Sequence, residues 1–124
     1  MRRLLLVLAL LLVAGCGGSD TTRFTPAKTR DCLSDKGAKI GGTLDFIAST
    51  ATGGAFKARL NDNSVAVVFG QTEEDARQIE SAYERAAAPN VGVSDILARR
   101  FNVVLLWRNH PTDAQLGVVA DCLK

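Results

Sequence analysis

The only histidine of the chain, His110, is the residue whose chemistry would matter most if this protein were an enzyme. A histidine beside a serine nucleophile and a carboxylate hydrolyses esters or amides, and Ser49, Ser94 and Asp113 are the side chains available for those two roles. Neither serine lies in the Gly-x-Ser-x-Gly sequence that exposes a nucleophile on a sharp turn. The sequence therefore favours a loop histidine near the start of a helix, with a hydrolase as the alternative.

A run of acidic residues, Glu73-Glu74-Asp75, together with Glu80, offers the carboxylate oxygens that hard cations prefer. Three consecutive residues of a helix point in three directions, and no calcium-binding loop surrounds them. Acidic side chains in the first turn of a helix also stabilise it through the helix dipole. We therefore predict a helix start here and no metal site. The glycine pairs of the chain are not followed by Lys-Ser or Lys-Thr, so no phosphate-bearing cofactor is predicted either.

Five basic residues are the remaining candidates for a binding surface. Arg99, Arg100 and Arg108 flank one predicted strand, and Lys57 and Arg59 lie on another. A surface that gathered them would attract anionic lipid head groups, at about 1 kcal/mol for each basic residue. The alternative, which the sequence alone favours, is that these charges are scattered and solvated.

The N-terminus carries the most specific signal. Arg2 and Arg3 precede an apolar run over residues 4–14, which is shorter than the roughly twenty residues needed to cross a bilayer as a helix. The run ends in Val13-Ala14-Gly15-Cys16, and this segment resembles the lipobox of bacterial lipoproteins. The resemblance implies a diacylglyceryl group on the Cys16 thiol. It also implies that residues 1–15 are a signal peptide, cleaved between Gly15 and Cys16.

Expectations about location follow from this resemblance. Two acyl chains anchor a protein stably where one does not, so the protein would be held on the extracytoplasmic face of the cell membrane. Residues 16–24 would form a flexible tether, because residues 17–22 are small and polar. Beyond the leader, the chain resembles small uncharacterised lipoproteins of high-GC bacteria only loosely, and that resemblance assigns no site.

Composition limits what the mature chain can be. Removing fifteen of the 124 residues leaves a chain long enough for one domain, which we place at residues 25–124. Arg2 and Arg3 account for the whole net charge of +2, so the mature chain is neutral. A neutral domain is not a nucleic-acid binder of the usual basic kind.

Two cysteines remain once Cys16 is assigned to lipid. Cys32 and Cys122 lie near the two ends of the domain. An exported protein folds in an oxidising compartment, where a disulfide between them is the default expectation. The alternative is a reactive thiol, but the sequence contains no Cys-x-x-Cys motif.

Hydrophobic periodicity and capping residues predict three helices, over 26–36, 73–88 and 113–123. Thr72 is the expected N-cap of the second helix, and Thr112 with Gln115 forms a capping box for the third. The apolar face of the third helix is expected to consist of Leu116, Val119, Ala120 and Leu123. Strands are expected over 38–40, 56–60, 65–69 and 102–107, with a short helical turn over 94–100. The two middle strands form a β-hairpin, because Asn61-Asp62-Asn63 between them is typical of a turn.

These elements predict an α+β fold with a small mixed sheet of three or four strands, packed by the three helices. The strand 65–69, the helix 73–88 and the strand 102–107 would form a βαβ unit with the two strands parallel. The strand 102–107 would be central, since its unbroken apolar run needs cover on both faces. The disulfide would join the first helix to the last.

The sequence thus indicates a membrane-anchored lipoprotein that acts as a non-enzymatic binding or structural module of the cell envelope. Two alternatives stay open: an envelope hydrolase that uses His110, and a membrane-surface adaptor that uses its arginines. The membrane is the predicted partner, through the N-terminal lipid. No cofactor and no nucleic acid are expected, and an envelope protein partner is not identified.

Overall fold

The computed structural model of the chain describes residues 23–87 and 92–124. The predicted signal peptide, the lipobox with Cys16 and most of the predicted tether lie outside these residues. The described elements are four helices and five strands, in the order α1 (Pro26–Asp35), β1 (Lys39–Ile40), α2 (Phe46–Ser49), β2 (Ala55–Leu60), β3 (Asn63–Phe69), α3 (Glu73–Ala86), β4 (Leu97–Arg100), β5 (Val103–Trp107) and α4 (Asp113–Asp121).

The five strands form one antiparallel sheet in the order β1-β2-β3-β5-β4. The α+β class is confirmed, but the sheet is larger than predicted and is not mixed. The prediction of a parallel βαβ unit is wrong, because β3 and β5 pair antiparallel. The prediction of β5 as the central strand is also wrong, since β3 holds the middle position.

The error arises at residues 94–100, where a helical turn was predicted. Only residues 94–96 form a turn, and β4 follows immediately. After α3 the chain therefore enters β4 first, and the β4–β5 hairpin reverses its direction before it pairs with β3. As an edge strand with an exposed or half-exposed side chain at every position, β4 lacks the alternating apolar pattern that identifies most strands.

Helices cover both faces of the sheet, and we name the two faces by how completely they are covered. The closed face packs against α1 and α4, and its core holds the large side chains of the interior, including Phe56, Phe69 and Trp107. The open face packs against α2 and α3, and its core is made of smaller residues such as Ala66 and Val68. The open face leaves strand residues such as Lys39 and Arg59 exposed.

The predicted disulfide is present and joins Cys32 in α1 to Cys122, the residue that caps the end of α4, with a Cα–Cα distance of 5.6 Å. An ion pair between Lys36 and Asp121 lies beside it, with 3.6 Å between Nζ and Oδ2. The two helices are thus fixed to each other over the closed face.

The last helix buries a different stripe of residues from the one predicted. Val119 and Leu123 are buried as expected, but Leu116 is 41% exposed and Gln115 is buried in its place. The Gln115 side chain completes the predicted capping box with Thr112, donates to the Leu60 carbonyl oxygen and accepts from Asn63 Nδ2. A buried amide that makes all these hydrogen bonds costs little, which is why a polar residue occupies this position.

Folded packing begins before Thr25. The N–H group of Phe24 donates to Asn102 Oδ1, and its carbonyl oxygen accepts from Asn102 Nδ2. The same Nδ2 donates to the Gly70 carbonyl oxygen. Phe24 and Asn102 are both buried, so the chain enters the domain at the end of the sheet where β3 ends and β5 begins.

Replacing Cys32 by serine tests the contribution of the disulfide to stability. The bond closes a loop of 90 residues. In the chain-entropy model, its loss lowers the free energy of unfolding by about 4–5 kcal/mol. Chemical denaturation of oxidised wild type and Cys32→Ser measures this difference, and Cys16→Ser serves as a control that keeps the bond. A free Cys122 thiol in oxidised wild type, or equal stability of the two proteins, would contradict the assignment.

Candidate functional site

The residues of the predicted hydrolytic site are not assembled in the structure. His110 is exposed in the loop between β5 and α4. The hydroxyl of Ser49 donates to the Phe46 carbonyl oxygen at 2.9 Å, and Ser94 is exposed in the turn before β4. Within residues 23–87 and 92–124, no hydrogen bond joins His110 to either serine or to Asp113. The arrangement that a hydrolase needs is therefore absent from the described part of the chain.

The acidic residues considered as metal ligands are engaged in other contacts. Glu73 and Glu74 form ion pairs with Arg77, and Glu80 forms one with Arg99. The Asp75 carboxylate accepts from the Thr52 hydroxyl and from the Gln71 N–H group. Among the described residues, no three His, Cys, Asp or Glu side chains gather as a metal site would require. Glu73, Glu74 and Asp75 thus form the first turn of α3, and Thr72 is the N-cap of the helix.

The five basic residues considered as a binding surface are separated by the fold. Arg99 bonds to Glu80, and Arg100 lies over the Phe101 ring with 5.8 Å between its guanidinium carbon and the ring centroid. Lys57, Arg59 and Arg108 lie elsewhere, towards one end of the open face. The sequence could not separate these two groups, because the antiparallel pairing of β3 with β5 decides which strand ends meet.

Strand register brings three cations into one row across the open face. Lys39 pairs with Arg59, and Arg59 pairs with Ser64. Arg108 directly follows β5, and its N–H group donates to the Ser64 carbonyl oxygen at 2.8 Å. Paired residues on neighbouring strands point to the same side of a sheet, and residues two apart along a strand share a side. We call Lys39, Lys57, Arg59 and Arg108 the cationic cluster; Lys39 was not among the predicted residues.

The cationic cluster is not neutralised by an ion pair within the described ranges. None of its four members forms an ion pair with a carboxylate in the part of the chain that the structure describes. Arg59 Nε donates to the Asn61 carbonyl oxygen, and Lys57 Nζ lies 3.5 Å from the Thr43 carbonyl oxygen. Like charges on neighbouring strands destabilise a sheet, so folding alone does not explain the grouping.

A concavity of about 300 Å³ opens beside the cluster on the same face. The small side chains of Ser64 and Ala66 leave this space, and Lys57, Arg108 and Asp45 are among the residues that line it. Two cations and a hydroxyl that line one concavity are suited to an oxyanion such as a carboxylate or a phosphate. The arrangement can bind a negative group but offers no nucleophile paired with a base.

Asp45 is held at the edge of this concavity by Tyr83. The Tyr83 hydroxyl lies 3.0 Å from Oδ1 and 2.9 Å from Oδ2 of Asp45, to which it donates. Oδ1 also accepts from the Ala48 N–H group, so Asp45 is the N-cap of α2. Burial, first, and then the Asp45 carboxylate raise the pKa of Tyr83 well above its usual range. Residues 43–53 carry no clear hydrophobic periodicity, so neither α2 nor this contact was predicted.

An exposed aromatic ring adjoins Asp45 on the other side. Phe46 is 80% exposed, the most of any large apolar residue in the described ranges. It lines a groove of about 350 Å³ between α2 and α3, whose apolar lining includes Ile47, Ala51, Ile79 and Ala82. The groove and the cationic concavity share no lining residue, but Phe46, which lines the groove, directly follows Asp45, which lines the concavity.

Comparisons with protein-family models, with curated proteins and with solved structures found no match to this chain. Within residues 23–87 and 92–124, no helix is long and apolar enough to cross a membrane.

The raised pKa of Tyr83 predicts how stability depends on alkaline pH. The folded state holds the phenolic proton more tightly than the unfolded state does. The resulting contribution of Tyr83 to the free energy of unfolding is therefore complete below a pH of about 10 and is lost as pH rises further. Tyr83 is the only tyrosine, so tyrosinate absorbance reports it directly. Absorbance should rise at a higher pH in the native protein than in denaturant. Two outcomes would contradict this: absorbance curves that coincide in the native and the denatured protein, or a Tyr83→Phe variant that loses as much stability at alkaline pH as wild type.

Proposed function

We propose that this chain is a lipid-anchored protein of the bacterial cell envelope whose domain binds an anionic partner and catalyses no reaction. The lipobox-like sequence Val13-Ala14-Gly15-Cys16 supports the anchor and the extracytoplasmic location. The observation that carries the binding function is the cationic cluster, which has no ion-pair partner in the described ranges and lies beside a concave surface.

The cationic cluster would act mainly through charge. A negative group that enters the concavity meets Lys57 and Arg108 at once, and Arg59 lies on the strand between β1 and β3. Arginine forks bind carboxylates and phosphates through two parallel hydrogen bonds, which fixes orientation as well as affinity. Because the members of the cluster are exposed or half-exposed, salt should screen the interaction.

Lipid labelling tests the proposed anchor. Cells that express the full chain are fed a palmitate analogue, and the label should be attached to wild type and to Cys32→Ser, which removes a different cysteine. Cys16→Ser should carry no label and should leave the membrane fraction. Label retained on Cys16→Ser would refute the anchor.

Binding of dextran sulfate, a polyanion without apolar side chains, tests the cationic cluster in the detergent-solubilised full-length protein. Wild type should bind, with an affinity that falls as salt rises. The double variant Arg59→Gln/Arg108→Gln should bind at least about tenfold more weakly. Lys28→Gln/Arg77→Gln removes the same amount of positive charge outside the cluster, and its affinity for dextran sulfate should equal that of wild type. Equal loss in both double variants would mean that net charge, and not the cluster, determines binding.

A further inference from the structure

We infer that the occupant of the open face is an acidic segment of a polypeptide that also carries apolar side chains, and that it extends from the cationic cluster into the groove beside Phe46. This inference rests on the proposed binding function and names the class of partner. Four features support it: the height and charge of α3, the position where the chain enters the domain, the apolar groove beside Phe46, and the position of Asp45.

The height and charge of α3 disfavour a flat anionic membrane as the occupant. The helix packs on the open face, and a helix with its side chains is about 10 Å thick. A flat surface would therefore meet α3 before it reached strand residues such as Lys57. Residues 73–86 contain five acidic and two basic side chains, so α3 would repel an anionic bilayer. A narrow segment can pass beside the helix and reach the cluster.

The position of the chain entry agrees with this assignment. The tether enters at Phe24, against Gly70 and Asn102, whereas the cationic row crosses β3 at Ser64. Six residues of strand separate Ser64 from Gly70, which is about 20 Å. The surface nearest the proposed anchor is thus at the opposite end of the sheet from the cationic cluster.

The apolar groove indicates a polypeptide and not a simple anion. Protein interfaces combine an aromatic residue and an apolar centre with charged residues at the rim. Phe46, with the groove of Ile47, Ile79 and Ala82, would supply the apolar part, and the cluster would supply the charged part. An inorganic anion or a sulfated polymer would leave the groove unused.

Asp45 lines the concavity and directly precedes Phe46, so its charge determines the orientation in which the segment can bind. Its carboxylate is fixed by the Tyr83 hydroxyl and the Ala48 N–H group. A partner carboxylate placed against Asp45 would be repelled, so the acidic residues of the segment must lie over Lys57, Arg59 and Arg108. Its apolar residues then lie towards Phe46.

The test uses the full-length protein and three probes: a labelled peptide of Glu and Leu, an all-Glu peptide of the same length, and phosphatidylglycerol vesicles. The Glu/Leu peptide should bind most tightly. Phe46→Ala should weaken its binding about tenfold and leave the all-Glu peptide unaffected. Leu116→Ala truncates the other exposed large apolar residue of the described ranges, and it should leave the binding of both peptides unchanged. Arg59→Gln/Arg108→Gln should weaken the binding of both peptides, whereas Lys28→Gln/Arg77→Gln should weaken the binding of neither peptide.

Two outcomes would overturn the inference. One is vesicle binding that depends on Arg59 and Arg108 while neither peptide binds, which would make the membrane the occupant. The other is tight binding of the Glu/Leu peptide that Phe46→Ala does not change. If dextran sulfate also fails to bind through the cluster, the proposed function itself fails, so the two failures are distinguishable.

Discussion

The fixed position of α1 and α4 over one face of the sheet is the constraint on which the rest of this domain depends. The disulfide between Cys32 and Cys122 joins the two helices, and the large side chains of the core lie beneath them. A domain this small buries a limited share of its surface, so such a cross-link contributes much of its stability. The open face is covered only by the short α2 and the longer α3. Strand residues near one end of that face therefore stay accessible.

A hydrogen-bond network around Asn63 holds Arg108, one member of the cationic cluster, in register. Asn63 Nδ2 donates to the Asn109 carbonyl oxygen, and the Asn109 N–H group donates to Asn63 Oδ1. These bonds fix the residue that follows Arg108 against the start of β3, so Arg108 stays opposite Ser64. Gln115 extends the network to the start of α4. Polar residues of the closed side thus fix the position of Arg108 on the open face, whereas strand pairing fixes the other three members of the cluster.

Much of the fold was predictable because local signals agreed with the final packing. The Thr72 N-cap, the Thr112–Gln115 capping box and the Asn61 turn, with its positive φ of 57°, are all present where the sequence indicated them. The oxidising compartment implied by the lipobox resemblance correctly suggested the disulfide. These features depend on residues close in sequence, or on the elimination of other roles for two cysteines.

The errors came from features that only tertiary structure determines. β4 was missed because an edge strand can lack apolar alternation, and its hairpin with β5 then reversed the predicted strand direction. Half of the candidate site was identifiable, since Lys57, Arg59 and Arg108 were singled out. Lys39 and Phe46 were not, because a two-residue strand and a four-residue helix leave no periodic pattern.

The proposed binding site of the open face is the cationic cluster, whose members form no ion pair among the residues that the structure describes. The most direct measurement is a backbone amide NMR titration of the full-length protein with the Glu/Leu peptide. The account predicts that the largest shifts occur at Lys57, Arg59, Ser64 and Arg108, and that they diminish as salt is added. Shifts that are confined to Arg23 and Lys28, at the end of the sheet where the chain enters, would contradict it.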